Sequence, residues 1–294
     1  MAMMGVPVRK VLSLTTLVVI SATVLSGALA AGASAATTAA VSGGSPMIRA
    51  TGSSYGLPTI SENWSGYAAT SSKPFTYAST EFVEPTVTCS LAHNTDVYTS
   101  NWVGLDGFND QTVEQDGTSG FCAPRHGTTP TYYAWIEMYP AATVREYDVA
   151  AGDVISASVA YATGGTFTLT VSDLTSGMSK SVSATCASCA RASAEWIVER
   201  PAGCNPFPTN CYLFALAKFT PATMFDNVAT VEGGSPTGLG SLPHAHQIIM
   251  VQPTRKGGFY ALDNVSGLNQ ASNAFTVTWV KYGLKTPISL GPKQ

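Results

Sequence analysis

Charge is what this chain of 294 residues has least of. Asp, Glu, Lys and Arg make up only 11% of it, against the quarter usual in soluble domains. No basic block occurs. The 18 acidic residues outnumber the 15 basic ones, which excludes nucleic acid and anionic membrane as natural partners. No stretch has sustained helical spacing, so a helical bundle is excluded. Histidine is scarce too: His93, His126, His244 and His246 are all there are. His244 and His246 alternate as strand residues do and would share one face. Without a third ligand nearby they point to a surface or cleft role rather than a metal site, and no metal or cofactor is expected.

Only one long apolar run is present. Arg9 and Lys10 precede Val11–Leu29, and Ala33-Ser34-Ala35 follows as a small-x-small cleavage site. The run approaches spanning length, but no charged stop-transfer patch follows it. Residues 1–35 are therefore read as a signal peptide and the protein as secreted, with no membrane contact after cleavage. Loss of Arg9 and Lys10 leaves 13 basic against 18 acidic residues, a net charge near −5. Six cysteines suit an oxidising compartment. Local pairing suggests Cys89–Cys122, Cys186–Cys189 and Cys204–Cys211, among fifteen possible connectivities. Cys186-Ala187-Ser188-Cys189 alone would also fit a redox pair or half a zinc site, readings that the signal peptide and the few histidines disfavour.

Residues 36–60 are rich in Ala, Thr, Gly and Ser without periodicity, as in a flexible leader or short propeptide. Residues 61–283 form one domain, and the tail 284–294 has no assignable pattern. Period-two runs recur at Glu81-Phe82-Val83, 154–159, 166–171, 247–251 and 275–280, with Thr and Ser on the outward positions. Gly164-Gly165, 173–177 and Gly257-Gly258 mark turns between runs. Many short strands with regular turns mean an all-β sandwich or barrel. A monomer is expected.

Three runs set tryptophan beside polar groups: Asn63-Trp64-Ser65-Gly66-Tyr67, Asn101-Trp102-Val103-Gly104, and 133–140. On a regular strand Tyr133, Trp135, Glu137 and Tyr139 share a face. A carboxylate inside an aromatic stripe points to a binding face, because an unpaired buried carboxylate is costly. Two further runs stand out, Val113-Glu114-Gln115-Asp116-Gly117 and Ala194-Glu195-Trp196-Ile197-Val198-Glu199. Glu195 and Glu199 would face one side with Ile197, and Trp196 and Val198 the other. The bland alternative is an exposed sheet face with two acids and a solvated glutamine. Taken together, the runs suggest an active site made of one carboxylate and one carboxamide, a hydrolase without serine, cysteine, metal or an aspartate dyad.

These segments, in this order, resemble the eqolisin family of glutamic peptidases, secreted acid endopeptidases. The resemblance is carried by Asn63-Trp64-Ser65-Gly66, 102–107, Gln115-Asp116-Gly117, 134–140 and 194–199. It implies a sandwich of two antiparallel β-sheets, of the concanavalin A-like lectin and glucanase type. It also implies a catalytic pair, Gln115 and Glu199, acting on polypeptide substrates. Trp102, Asp106, Glu137 and Tyr139 would support the pair, and Trp64 and Trp135 would line the cleft. The chain departs from the family pattern at three places. The loop from Gly107 to Gln115 is one residue shorter, Ser119 stands where an acid is usual, and Arg200 follows Glu199 where an acid is usual.

Two competing readings use the same residues. A carbohydrate-binding, lectin-like sandwich would stack sugars on the aromatic stripe. A retaining glycosidase would use Glu195 and Glu199, but such carboxyls sit about 5 Å apart, and residues four apart on a strand are separated by roughly 13 Å of backbone. Asn63-Trp64-Ser65 and Asn264-Val265-Ser266 match the glycosylation pattern.

Overall fold

In the computed structural model the described residues are 44–50, 58–89, 95–123, 129–204, 210–269, 271 and 273–288. The expected signal segment 1–35 and the end of the tail beyond 288 lie outside them. Almost every element is a strand. One sheet runs, in spatial order, through Thr59–Ser61, Ala245–Thr254, Trp64–Thr70, Ser193–Glu199, Val97–Leu105, Val113–Cys122, Thr131–Tyr139 and Val144–Asp148. The other runs through Ser179–Thr185, Thr166–Asp173, Val154–Ala162, Phe75–Val83, Ala222–Val231, Phe275–Trp279 and Asp263–Val265. Pairing is antiparallel along both paths except at the edge, where Thr59–Ser61 runs parallel to Ile248–Met250. The open, two-sheet antiparallel sandwich is the fold class expected from the sequence.

The period-two pattern explains how the sheets meet. In Thr166–Asp173, Phe167, Leu169 and Val171 are buried. The alternate hydroxyls of Thr168, Thr170 and Ser172 meet Ser183, Ser181 and Ser179 on the edge strand. Gly164 and Gly165, at φ 89° and 82°, make the turn that joins this strand to Val154–Ala162, a geometry that strongly favours glycine at both positions. Phe82, Ile155, Val159 and Met224 from one sheet pack with Val103, Leu105, Ile136, Trp196 and Val198 from the other in a single core. The first sheet carries a second apolar cluster on its other face: Trp64, Trp102, Phe108, Val113, Tyr133, Trp135, Ile197 and Ile248. This second cluster is the floor of the candidate site. The three disulfides are Cys89–Cys122, Cys186–Cys189 and Cys204–Cys211, as the spacing suggested.

Several carboxyls are enclosed in this framework. Asp116 is buried between the sheets against the backbone of Ser158 and Thr170, and burial lifts its pKa well above the ordinary carboxylate range. Burial pushes Glu84, which accepts a hydrogen bond from Thr118, up to about 8. It pushes Asp263, bonded by Ser65 and the Met250 N–H, up to about 7. The two ion pairs among the described residues, Arg145–Asp148 and Lys180–Glu146, involve none of these groups.

A carboxyl whose pKa is raised by folding holds its proton more tightly in the folded state. Its stabilising contribution is whole below about pH 4 and is lost as the pH climbs through the folded value, at up to ~1.4 kcal/mol per pH unit for each group. The melting temperature should therefore be highest in acid and fall between about pH 4.5 and 8. Asp116→Asn, which keeps the shape but cannot ionise, should flatten that fall. A melting temperature that is level or rising over this range would contradict the assignment.

Candidate active site

The site lies on five neighbouring strands whose register places its side chains. Cross-strand pairing aligns Trp64, Glu199, Ser100, Ser119 and Tyr133 in one row. Ile197, Trp102, Gly117 and Trp135 form the next row, and Glu195, Gly104, Gln115 and Glu137 the one after. Glu195 and Glu199 thus point to the same side as Ile197, and Tyr133, Trp135, Glu137 and Tyr139 form the expected stripe. Gln115 and Glu199 are both 0% exposed.

Glu199 is held by directed donors. Trp102 Nε1 donates to its Oε2 at 2.9 Å, and Asn63 Nδ2 donates to Oε1 at 3.1 Å. Trp64 packs edge-on against Trp102, with ring centroids 5.0 Å apart. Burial raises the Glu199 pKa well above the usual range. The donors from Asn63 and Trp102 pull it back, and the nearby Glu137 pushes it up. Arg200 turns away from Glu199. It donates from Nε to the Glu62 carbonyl and from Nη1 to Gln252 Oε1 and the Leu284 carbonyl. Opposite Glu199, Gln115 Nε2 donates to Glu137 Oε2 at 2.8 Å, while Gln115 Oε1 receives no donor among the described residues. The phenol of half-buried Tyr139 is held above its ordinary pKa by burial and by the nearby charges of Glu137 and Glu199.

A segment from far upstream crosses this floor. Gly44 N–H donates to Glu137 Oε2 at 2.9 Å and Ser45 N–H to Glu199 Oε1 at 3.3 Å. Trp64 Nε1 donates to the Ser45 carbonyl at 2.9 Å. The Gln115 carboxamide lies directly against Gly44, so that a methyl added there would sit 2.5 Å from Oε1 and 2.6 Å from Nε2. Gln115 and Glu199 stand on strands separated by a third, and their side chains converge on one peptide unit.

A model of the Peptidase A4 family matches residues 62–277. The chain belongs to this family, the eqolisins, which are glutamic peptidases. Among solved structures, scytalido-glutamic peptidase bound to a transition state analog inhibitor shares the fold. Its TM-score is 0.61 at 22% identity, over 74% of this chain and 98% of that one. SCP-B, a member of the eqolisin family solved with the tripeptide Ala-Ile-His, aligns with a TM-score of 0.60 at 22% identity and the same coverage. A comparison with curated protein sequences finds no match.

Of the residues that the eqolisin resemblance singled out, Gln115, Glu199, Trp64, Trp102, Glu137 and Tyr139 gather at this site. Trp135 is fully buried in its floor. Asp106 sits apart. Its carboxylate receives the N–H groups of Arg191 and Ala192 at 2.7 and 2.6 Å, and so anchors the entry to the strand that carries Glu199. Glu195 also differs from Glu199. Burial raises its pKa well above the usual range; the Ser193 hydroxyl pulls it back, and Asp106, Asp110 and Glu114 push it up. His246 stacks on Phe108 at the rim, while His244 lies in the preceding turn.

Asn63 is the site residue that sequence reasoning missed, although it opens one of the matched segments. A fully buried Asn63 bonded to Glu199 leaves no room for a glycan. Asn63→Ala removes a donor that favours ionised Glu199. A hydrogen bond to a charged group is worth about 1.5–3 kcal/mol, or about one to two pH units. The acid-side midpoint of the pH–rate profile should rise by that amount. An unmoved midpoint in the folded variant would contradict the assignment.

Proposed function

We propose that the chain is a secreted, monomeric acid endopeptidase that hydrolyses polypeptides with Glu199 as general base and then general acid, and Gln115 as its uncharged partner. The observation that carries this reading is that both side chains address the same peptide unit, Gly44–Ser45, within hydrogen-bond reach on the Glu199 side.

Amide hydrolysis needs an activated water, a stabilised oxyanion and a proton for the leaving nitrogen. Ionised Glu199 takes a proton from water as the water oxygen attacks the carbonyl carbon, then returns it to the departing amine. Gln115 offers N–H to the developing oxyanion and a carbonyl lone pair to the water. Because its amide does not titrate, it keeps both functions in acid, where a histidine base would be protonated. Glu137 orients Gln115 through the Nε2 hydrogen bond. Asn63 and Trp102 hold Glu199 in place and favour its charged form. The raised pKa suits a group that must both accept and donate a proton under acidic conditions.

Cleavage of denatured casein from pH 2 to 7, in the presence of serine, cysteine, metal and pepstatin-type inhibitors, tests the reading. Wild type should cleave in the acid range despite the inhibitors. Glu199→Gln should lose about 100- to 10,000-fold in kcat, and Gln115→Ala about 100- to 1000-fold. Undiminished activity in either folded variant would refute the assigned roles.

A further inference from the structure

The Cys186–Cys189 disulfide has no part in peptide hydrolysis, and it differs from the other two. It closes a separation of 3 residues, against 33 for Cys89–Cys122 and 7 for Cys204–Cys211. A cross-link stabilises chiefly by restricting the unfolded chain, and less so the shorter the loop it closes. Of the three bridges this one therefore does least to hold the fold together. It also lies closer to solvent. Cys89, Cys122 and Cys211 are buried, whereas Cys186 and Cys189 are half-buried and the intervening Ala187 and Ser188 are exposed. The loop is fixed at one end by the Cys186 N–H, which donates to the Gly165 carbonyl at 2.9 Å. Exposed bridges are the ones that exchange with thiols. Secretion argues against a redox pair poised by a reducing compartment, but not against exchange with a thiol met outside the cell.

Behind the loop lies an acid. A carboxyl oxygen of Glu114, a residue 0% exposed, and the two sulfurs all lie within 4.8 Å of one another. Burial pushes the Glu114 pKa up to about 10; Asp106 and Asp110 add to the rise, and the Thr112 hydroxyl works against it. Glu114 thus presents a neutral carboxyl to the bridge, where an ionised one would repel a thiolate. From the loop itself the Ser188 hydroxyl comes 3.8 Å from Cys186 Sγ. We infer that Cys186–Cys189 is a thiol–disulfide exchange site for small monothiols, independent of the peptidase reading, with Glu114 and Ser188 positioned to stabilise Cys186 as the leaving thiolate. The monothiol, as thiolate, attacks Cys189 Sγ. The Cys186–Cys189 bond breaks, and its electron pair leaves on Cys186 Sγ, which then takes up a proton. A second monothiol attacks the mixed disulfide at the bound monothiol's sulfur and releases Cys189. The protein disulfide has then gained two electrons and two protons, and two monothiols have been oxidised to one disulfide. In acid the monothiol is protonated and a poor nucleophile, so the bridge stays closed there and exchanges as the pH nears neutral. The site adjoins two strands of the candidate active site. Gln115 follows Glu114, and Arg191 and Ala192, held by Asp106, lead into Ser193–Glu199.

The test exposes the purified full chain, near neutral pH, to glutathione with the reduced form in excess. Samples are quenched in acid over time, their thiols alkylated, and each cysteine assigned by peptide mass. Cys186 and Cys189 should open first, with Cys89–Cys122 and Cys204–Cys211 still closed. Captured glutathione should sit on Cys189, and oxidised glutathione should close the bridge again. Ser188→Ala, a change on the exposed loop that leaves the fold alone, should slow opening by about 2- to 10-fold, the size of one ordinary hydrogen bond. Glu114→Leu should slow it by about 10- to 100-fold, the size of a hydrogen bond to a charged group. Glu114→Gln, which keeps an N–H donor, should recover most of that loss. A bridge that opens no faster than the other two would overturn the inference. So would glutathione captured on Cys186, or a wild-type rate in both Ser188→Ala and folded Glu114→Leu.

Discussion

Carboxyl groups buried without cations are the constraint on which this molecule turns. With few charges to spend, the chain still encloses Glu84, Glu114, Asp116, Glu195 and Glu199, each fully buried or nearly so. Removing an ionised carboxylate from water without a partner is expensive, so the groups take up protons instead. Burial carries Glu114 up to about 10, with neighbouring Asp106 adding to the rise. In acid such groups are neutral and cost little to enclose. With only 11% of its residues charged, the rest of the chain likewise changes little as carboxylates protonate. The fold is thus suited to low pH.

Within that set Glu199 is distinguished by its donors. Glu195, four residues earlier and on the same face, is surrounded by other acids, and the Ser193 hydroxyl favours its charged form. Glu199 receives N–H groups from Asn63 and Trp102, which support its charged form. Identical side chains on one strand thereby acquire different surroundings, set by the neighbouring strands. Trp64 and Trp102, stacked edge to face, hold the donors rigidly enough for that difference to persist.

Much of this was legible in the sequence because strand periodicity is a local property. Alternation alone put Tyr133, Trp135, Glu137 and Tyr139 on one face and paired Glu195 with Glu199. The cysteine spacing anticipated all three disulfides. What stayed hidden depends on contacts distant in sequence. Gly44 and Ser45 have no pattern of their own, and their partners lie 93 and 154 residues away. The resemblance sets Asp106 among the supporting groups around the cleft; its carboxylate binds the backbone N–H groups of Arg191 and Ala192, a contact that no spacing rule reveals. Arg200 shows the opposite case. Strand alternation says that it should face away from Glu199, and it does, so a cation at that position leaves the acid undisturbed.

The most direct test of the account is an infrared titration of the carboxyl bands in the wild-type protein, compared with Glu199→Gln. The account predicts a carboxylic acid band that is missing in the variant, titrates well above the ~4.3 of a free glutamate, and has a midpoint coinciding with the acid limb of kcat. A Glu199 band that titrates like a free glutamate, or whose midpoint is unrelated to the activity profile, would contradict it.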